Sequence, residues 1–126
     1  MPWLHKRDFM NWRDITPTGT VSGRVLVMRD GRTVWLDFQD WVPSATAQAS
    51  LVIDGVIPDG LRPVRSHELA LAPRVHDAAS ETKGATRVYP AGSLALYRVA
   101  AGGTVRGLVS YPTPQAMPVA DPGRAA

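Results

Sequence analysis

Apolar and polar positions alternate most cleanly over residues 21–28 and 33–41, two runs that flank Arg29-Asp30-Gly31-Arg32. Asp-Gly is a preferred type I′ pair, so the segment predicts a hairpin. Counting outward from it sets Val27 opposite Val34, Val25 opposite Leu36 and Gly23 opposite Phe38 on the side expected to face the core. The other side pairs Met28 with Thr33, Leu26 with Trp35 and Arg24 with Asp37, the last an opposite-charge cross-strand pair worth about 0.2–1 kcal/mol. A second hairpin is expected over residues 93–113, turning at Gly102-Gly103. There Ala100 meets Val105, Leu96 meets Val109 and Leu94 meets Tyr111 on a buried face. Val99 with Arg106, Tyr97 with Leu108 and Ala95 with Ser110 form the half-polar reverse.

The remaining segments are shorter. Residues 42–50 are small and polar and read as a loop, and residues 51–57 are apolar but broken by Asp54-Gly55, giving two short strands or one strand with a bulge. Pro58-Asp59-Gly60 is a turn, after which Pro63 confines residues 61–64 to an edge or irregular path. Residues 66–72 alternate as a strand with His67, Leu69 and Leu71 on one face; 75–85 read as a loop and 86–89 as a strand. Residues 1–18 hold neither period and form an expected N-terminal arm, while 114–126, rich in Pro and small residues, form an expected extended tail. The sum is about seven short strands with frequent turns, an all-β chain with one antiparallel, jelly-roll-like β-sandwich over residues 19–113.

Composition narrows the chemistry. Among 126 residues, eleven glycines and eleven prolines break any helical pattern. With no cysteine, disulfides and thiolate metal sites are excluded. The net charge of +3 rests mostly on arginines scattered along the chain, Arg24 and Arg32 in one hairpin, Arg98 and Arg106 in the other. Scattered charge lacks the stripe that concentrates counterion release, so no nucleic-acid partner is expected. No run approaches the ~18 apolar residues of a spanning helix, and the basic N-terminus lacks an apolar signal core, so neither membrane insertion nor signal-peptide export is expected.

Catalytic candidates are weak. Ser66, His67 and Glu68 are consecutive, so on a strand they alternate faces and cannot form a relay; His67 reads as a satisfied or surface histidine. His76-Asp77 lacks the spacing of a metal site, Asp54 and Asp59 read as turn residues rather than calcium ligands, and Asp37 and Asp40 face opposite ways. No phosphate loop or nucleophile elbow is present, so the expectation is a non-enzyme without cofactor or metal. The aromatics carry the site prediction. Trp35, Trp41 and Tyr97, with Leu108 and Arg106, are expected on the faces turned away from the core, as a subunit interface or a ligand face. Trp3, Phe9 and Trp12 in the arm are expected either to dock on a partner or to pack back on their own domain.

Four elements follow one another in order: Trp12-Arg13-Asp14-Ile15-Thr16, the hairpin at Asp30-Gly31, Ile57-Pro58-Asp59-Gly60-Leu61-Arg62-Pro63, and the strand Gly107-Leu108-Val109-Ser110-Tyr111-Pro112-Thr113. This order resembles the C-terminal β-sandwich domains of tail-fibre and minor tail proteins from phages of actinobacteria. Leu61 stands where that family usually has an aromatic. The resemblance implies a bacteriophage virion protein assembled in the host cytoplasm, a homotrimeric head contacting other virion proteins or a host cell-surface glycan. Because only a short arm precedes the domain, a capsid decoration protein gripped by that arm is an alternative. A stand-alone carbohydrate-binding module using Trp35, Trp41 and Tyr97 is a further one, and a hydrolase using His67 is the weakest.

Overall fold

A computed structural model describes residues 9–65, 67–68, 74–76, 81–82, 85–99 and 101–126. Every regular element among them is a strand: β1 (Phe9–Asp14), β2 (Ser22–Asp30), β3 (Thr33–Val42), β4 (Gln48–Ile53), β5 (His67–Glu68), β6 (Arg74–His76), β7 (Glu81–Thr82), β8 (Ala85–Val88), β9 (Leu94–Val99), β10 (Thr104–Pro112) and β11 (Arg124–Ala125). They form two antiparallel sheets with orders β11-β1-β2-β3-β10-β6-β7 and β4-β9-β8-β5. The fold is all-β and sandwich-like. The alternating inward residues of the larger sheet, Val25, Val27, Val34, Leu36, Phe38, Val109 and Tyr111, pack in one apolar cluster with Val88, Leu94 and Leu96 of the smaller one.

The β2–β3 hairpin forms, in a different register. Asp30 pairs with Thr33, Val27 with Leu36 and Val25 with Phe38, so the two-residue loop is Gly31-Arg32. A type I′ loop at Asp30-Gly31 would need positive φ at Asp30; the loop instead begins at Gly31, which has φ 58°. The displacement is two residues, which leaves the side chains between Arg24 and Phe38 on their expected faces, so hydrophobic pattern alone does not distinguish the registers. It does separate Arg24 from Asp37: Arg24 lies opposite Gln39 and donates to its Oε1 at 2.9 Å.

The second expected hairpin does not form. β9 pairs with β4 and β8 in the smaller sheet, whereas β10 pairs with β3 and β6 in the larger one. The Gly102-Gly103 turn is therefore a crossing between sheets, anchored where Gly102 N donates to Ser44 O at 3.0 Å. Leu94, Leu96, Val105, Val109 and Tyr111 are buried as expected, but they meet across the core instead of side by side. Ala95 and Val99, assigned by count to the open face, are buried as well.

Both expected termini are partly woven into the sheet. Phe9–Asp14, expected within the arm, is a strand paired with β2, with Met10 fully buried and Ile15 nearly so. β11 brings the expected tail back along β1, placing Ala125 beside Arg13. Gln48–Ser50 belong to β4 rather than to a loop, and the expected loop after Arg74 holds the β6–β7 pairing. β5 lies within the strand expected at 66–72, and β8 overlaps the strand expected at 86–89 but begins one residue earlier, at Ala85.

One buried group stands out within this core. Thr86, opposite Leu96 on β8, is fully buried and its Oγ1 has no hydrogen-bond partner among the described residues. An unpaired buried hydroxyl costs about 1–3 kcal/mol. Thr86→Val keeps the shape and is expected to raise the midpoint of urea unfolding; a lowered midpoint with unchanged slope would refute that reading.

Candidate functional site

The elements singled out in sequence converge on a hydrogen-bonded latch. Arg29, on the inward face of β2, is 4% exposed, and its guanidinium donates only to backbone carbonyls. Nε reaches Gly31 O at 2.8 Å, Nη2 reaches Gln115 O at 2.7 Å, and Nη1 reaches Gly60 O. Burial pulls this guanidinium below its ordinary value, and Arg32 nearby adds repulsion in the same direction. Gln115 closes the ring: its Oε1 accepts from Gly60 N at 2.7 Å and Arg62 N at 2.9 Å, while Nε2 donates to Asp59 Oδ1 at 3.1 Å. Tyr111 OH donates to Leu61 O, and Thr113 Oγ1 donates to Arg62 O, both at 2.6 Å. The Tyr111 hydroxyl is pushed well above its ordinary range by burial, as suits a permanently neutral donor.

At one end of the molecule lies a cavity of about 550 Å³. Three segments build it: the end of β1 with the following loop, from Asp14 to Thr18; the end of β4 with the Asp54-Gly55 turn and Val56; and Gly123-Arg124 at β11. Ile15 and Val56 are buried and supply an apolar part of the wall. Asp14 Oδ1 accepts from Thr16 N at 2.9 Å and from Thr16 Oγ1 at 2.5 Å, with Arg124 Nη2 at 3.4 Å. Thr16 Oγ1 in turn accepts from Val25 N at 2.9 Å, tying the cavity wall to β2. Across the cavity, Asp54 Oδ1 accepts from Ser93 Oγ at 2.9 Å.

Burial by itself raises the Asp14 carboxyl, but the Thr16 side-chain and backbone hydrogen bonds and the Arg124 charge outweigh it, leaving the carboxyl below its ordinary value. A depressed carboxyl stabilises the fold above its unfolded value, and that contribution disappears as pH falls through the folded value. Stability is therefore expected to drop on acidification below the ordinary aspartate range of about 4, less steeply in Asp14→Asn, as followed by thermal unfolding against pH.

The predicted aromatic face is divided among three places. Trp35 lies on the outer side of the larger sheet in the row Met28–Trp35–Ser110, next to the row Leu26–Asp37–Leu108, where Leu108 is 54% exposed. Tyr97 lies on the outer side of the smaller sheet, with its hydroxyl 3.3 Å from that of Tyr89. Its hydrogen bond is the largest influence holding the Tyr89 hydroxyl below its ordinary value; Arg87 acts in the same direction and burial against it. Trp41 is fully buried, contrary to expectation. The cause is a bulge: Ser22 pairs with Val42 but Arg24 with Gln39, so Asp40 is an extra residue and both Gln39 and Asp40 face outward. Trp41 then points inward, stacks on Phe38 with ring centroids 5.8 Å apart, and donates from Nε1 to Thr20 Oγ1 at 3.0 Å. Arg106 sits beside this bulge and pairs with Asp40 at 2.9 Å, an exposed pair worth about 0–1 kcal/mol.

Of the arm residues, Phe9 is half-exposed and Trp12 half-buried on β1, while Trp3 lies outside the described residues. His67 falls in β5, and Asp77 is likewise outside the described residues. No family model, curated protein or solved structure matches the chain. Sequence reasoning passed over the cavity because its walls come from positions about forty and seventy residues apart, each an ordinary turn when read alone.

Proposed function

We propose that the protein is a non-enzymatic virion component of tail-fibre or minor-tail type, a homotrimeric sandwich head displayed on the particle for attachment. The supporting observation is the latch. Ile57–Pro63 and Tyr111–Thr113, two of the four segments that carry the resemblance, are joined by hydrogen bonds from Tyr111 and Thr113 and bridged by the neighbouring Gln115, so they act as one structural unit. Trp35 and the exposed Leu108 offer apolar surface on the outer side of the larger sheet for a neighbouring subunit.

Light scattering on the purified chain tests the assembly, with a trimer mass expected; a monomer at all concentrations rejects it. Mass spectrometry of purified particles tests the location. A decoration role gripped by the N-terminus predicts that a chain lacking residues 1–8 no longer co-purifies with particles. The deletion stops at residue 8 because Phe9 begins a strand of the sheet.

A further inference from the structure

We propose that the cavity between Asp14, Asp54 and Arg124 binds a neutral saccharide. The inference rests on the attachment role above and names the ligand class that such a head would engage. Three features of the cavity select that class. Its size, about 550 Å³, falls within the range of small-molecule sites and exceeds what a simple ion requires. Its walls combine the apolar surfaces of Ile15, Val56 and Pro58, suited to the C–H faces of a sugar ring, with acceptors and a donor at separate points. The hydrogen bonds to Asp14 and Asp54 all fall on Oδ1, so each carboxylate retains an oxygen able to accept from ligand hydroxyls.

Arg124 supplies the donor and offsets one of the two carboxylate charges. Its guanidinium contacts Asp14 at 3.4 Å and remains 68% exposed, which leaves N–H groups to donate to ring or hydroxyl oxygens. An anionic ligand would meet two carboxylates and a single arginine. A cation would meet the arginine, and Asp14 already shares its charge with it. Among the described residues no group of three or more His, Asp or Glu is placed to hold a metal. A molecule with many hydroxyls and no net charge satisfies donors and acceptors alike. The wall made by β1 and β11 is held by the Thr16–Val25 and Arg13–Gly123 hydrogen bonds, and Asp54 on the other side is held by Ser93, so the polar groups of the cavity are positioned before the ligand arrives.

The test is amide-resolved NMR titration of the full chain with a panel of neutral mono- and disaccharides, with an alkylammonium salt and inorganic phosphate as controls. A saccharide is expected to shift amides of Thr16, Gly55 and Gly123 and to bind at least tenfold more weakly to Asp54→Asn, which retains a side-chain oxygen for the Ser93 bond. Asp54 is exposed, so this variant is expected to fold; its amide spectrum in the absence of sugar verifies that. Shifts confined to the surroundings of Trp35 or Tyr97, preferential binding of ammonium or phosphate, or no shift with any sugar would each overturn the proposal. Sugar binding at the cavity by a protein absent from particles would leave this inference standing and reject the virion role. A particle-borne trimer whose cavity ignores every sugar would do the reverse.

Discussion

Arg29→Ala is expected to destabilise the protein by about 3–5 kcal/mol, enough to unfold a marginal domain. The size follows from the three carbonyls the guanidinium serves, those of Gly31, Gly60 and Gln115. Each lies in a different segment; the buried Gly60 carbonyl deprived of its donor costs about 1–3 kcal/mol, and the two part-buried bonds and the lost packing of the buried arginine stem supply the rest. Arg29→Lys is expected to recover only part of the loss, because one ammonium cannot reproduce the planar fork that spans three acceptors. Chemical denaturation of the two variants checks the order. A double-mutant cycle with Gln115→Ala should show a coupling of about 0.5–3 kcal/mol, since both side chains organise the same turn. If Arg29→Ala cost less than about 1 kcal/mol, water would be replacing the guanidinium and the latch would not be the centre of the fold.

Gly23→Ala is the second large effect. Gly23 has φ 80°, and a Cβ there would lie 2.1 Å from Asp40 O and 2.6 Å from Trp41 Cα. Those are backbone atoms, so rotamer changes do not relieve the contact; the bulge itself must open. A positive-φ alanine alone costs about 1–2 kcal/mol, and the displaced backbone adds a comparable amount, for a loss of about 3 kcal/mol or more. The bulge also holds Trp41 against Phe38, so the variant should red-shift tryptophan emission before global unfolding. Gly31→Ala is the control: its φ is 58° but open space surrounds it, so it should show the backbone penalty without the spectral change.

These two sites mark where reading the sequence succeeds and where it stops. The β2–β3 hairpin was legible because Gly31 punctuates two alternating runs, and the inward set Val25, Val27, Val34, Leu36 and Phe38 follows from period 2 alone. The register was not legible, since a two-residue shift preserves both faces. Trp41 was misplaced because period 2 was carried through Asp40, whose φ of 48° turns the next side chain inward. The signal available was Gly23 itself, a glycine inside an otherwise regular strand, which marks a bulge or a close backbone approach. The cavity was still less visible. Asp14, Asp54 and Arg124 sit at the ends of three different strands, and no spacing relates them.

The sequence by itself determined the all-β class, the turns at Gly31 and Pro58-Asp59-Gly60, and most of the residues that face the core, because these depend on backbone preferences and side-chain period within a few residues. Only the tertiary structure decided how the strands are shared between sheets. Leu94–Val99 and Thr104–Pro112 satisfy a hairpin equally well by local chemistry. Yet β10 finds β3 and β6 as partners while β9 finds β4 and β8, and the apolar sides of both strands are buried more fully across a sandwich than along one ribbon. That choice belongs to the summed burial of the whole chain. It also brings the Pro58–Arg62 turn under Tyr111, Thr113 and Gln115, creating the latch, and leaves the cavity at the sandwich end between segments remote in sequence.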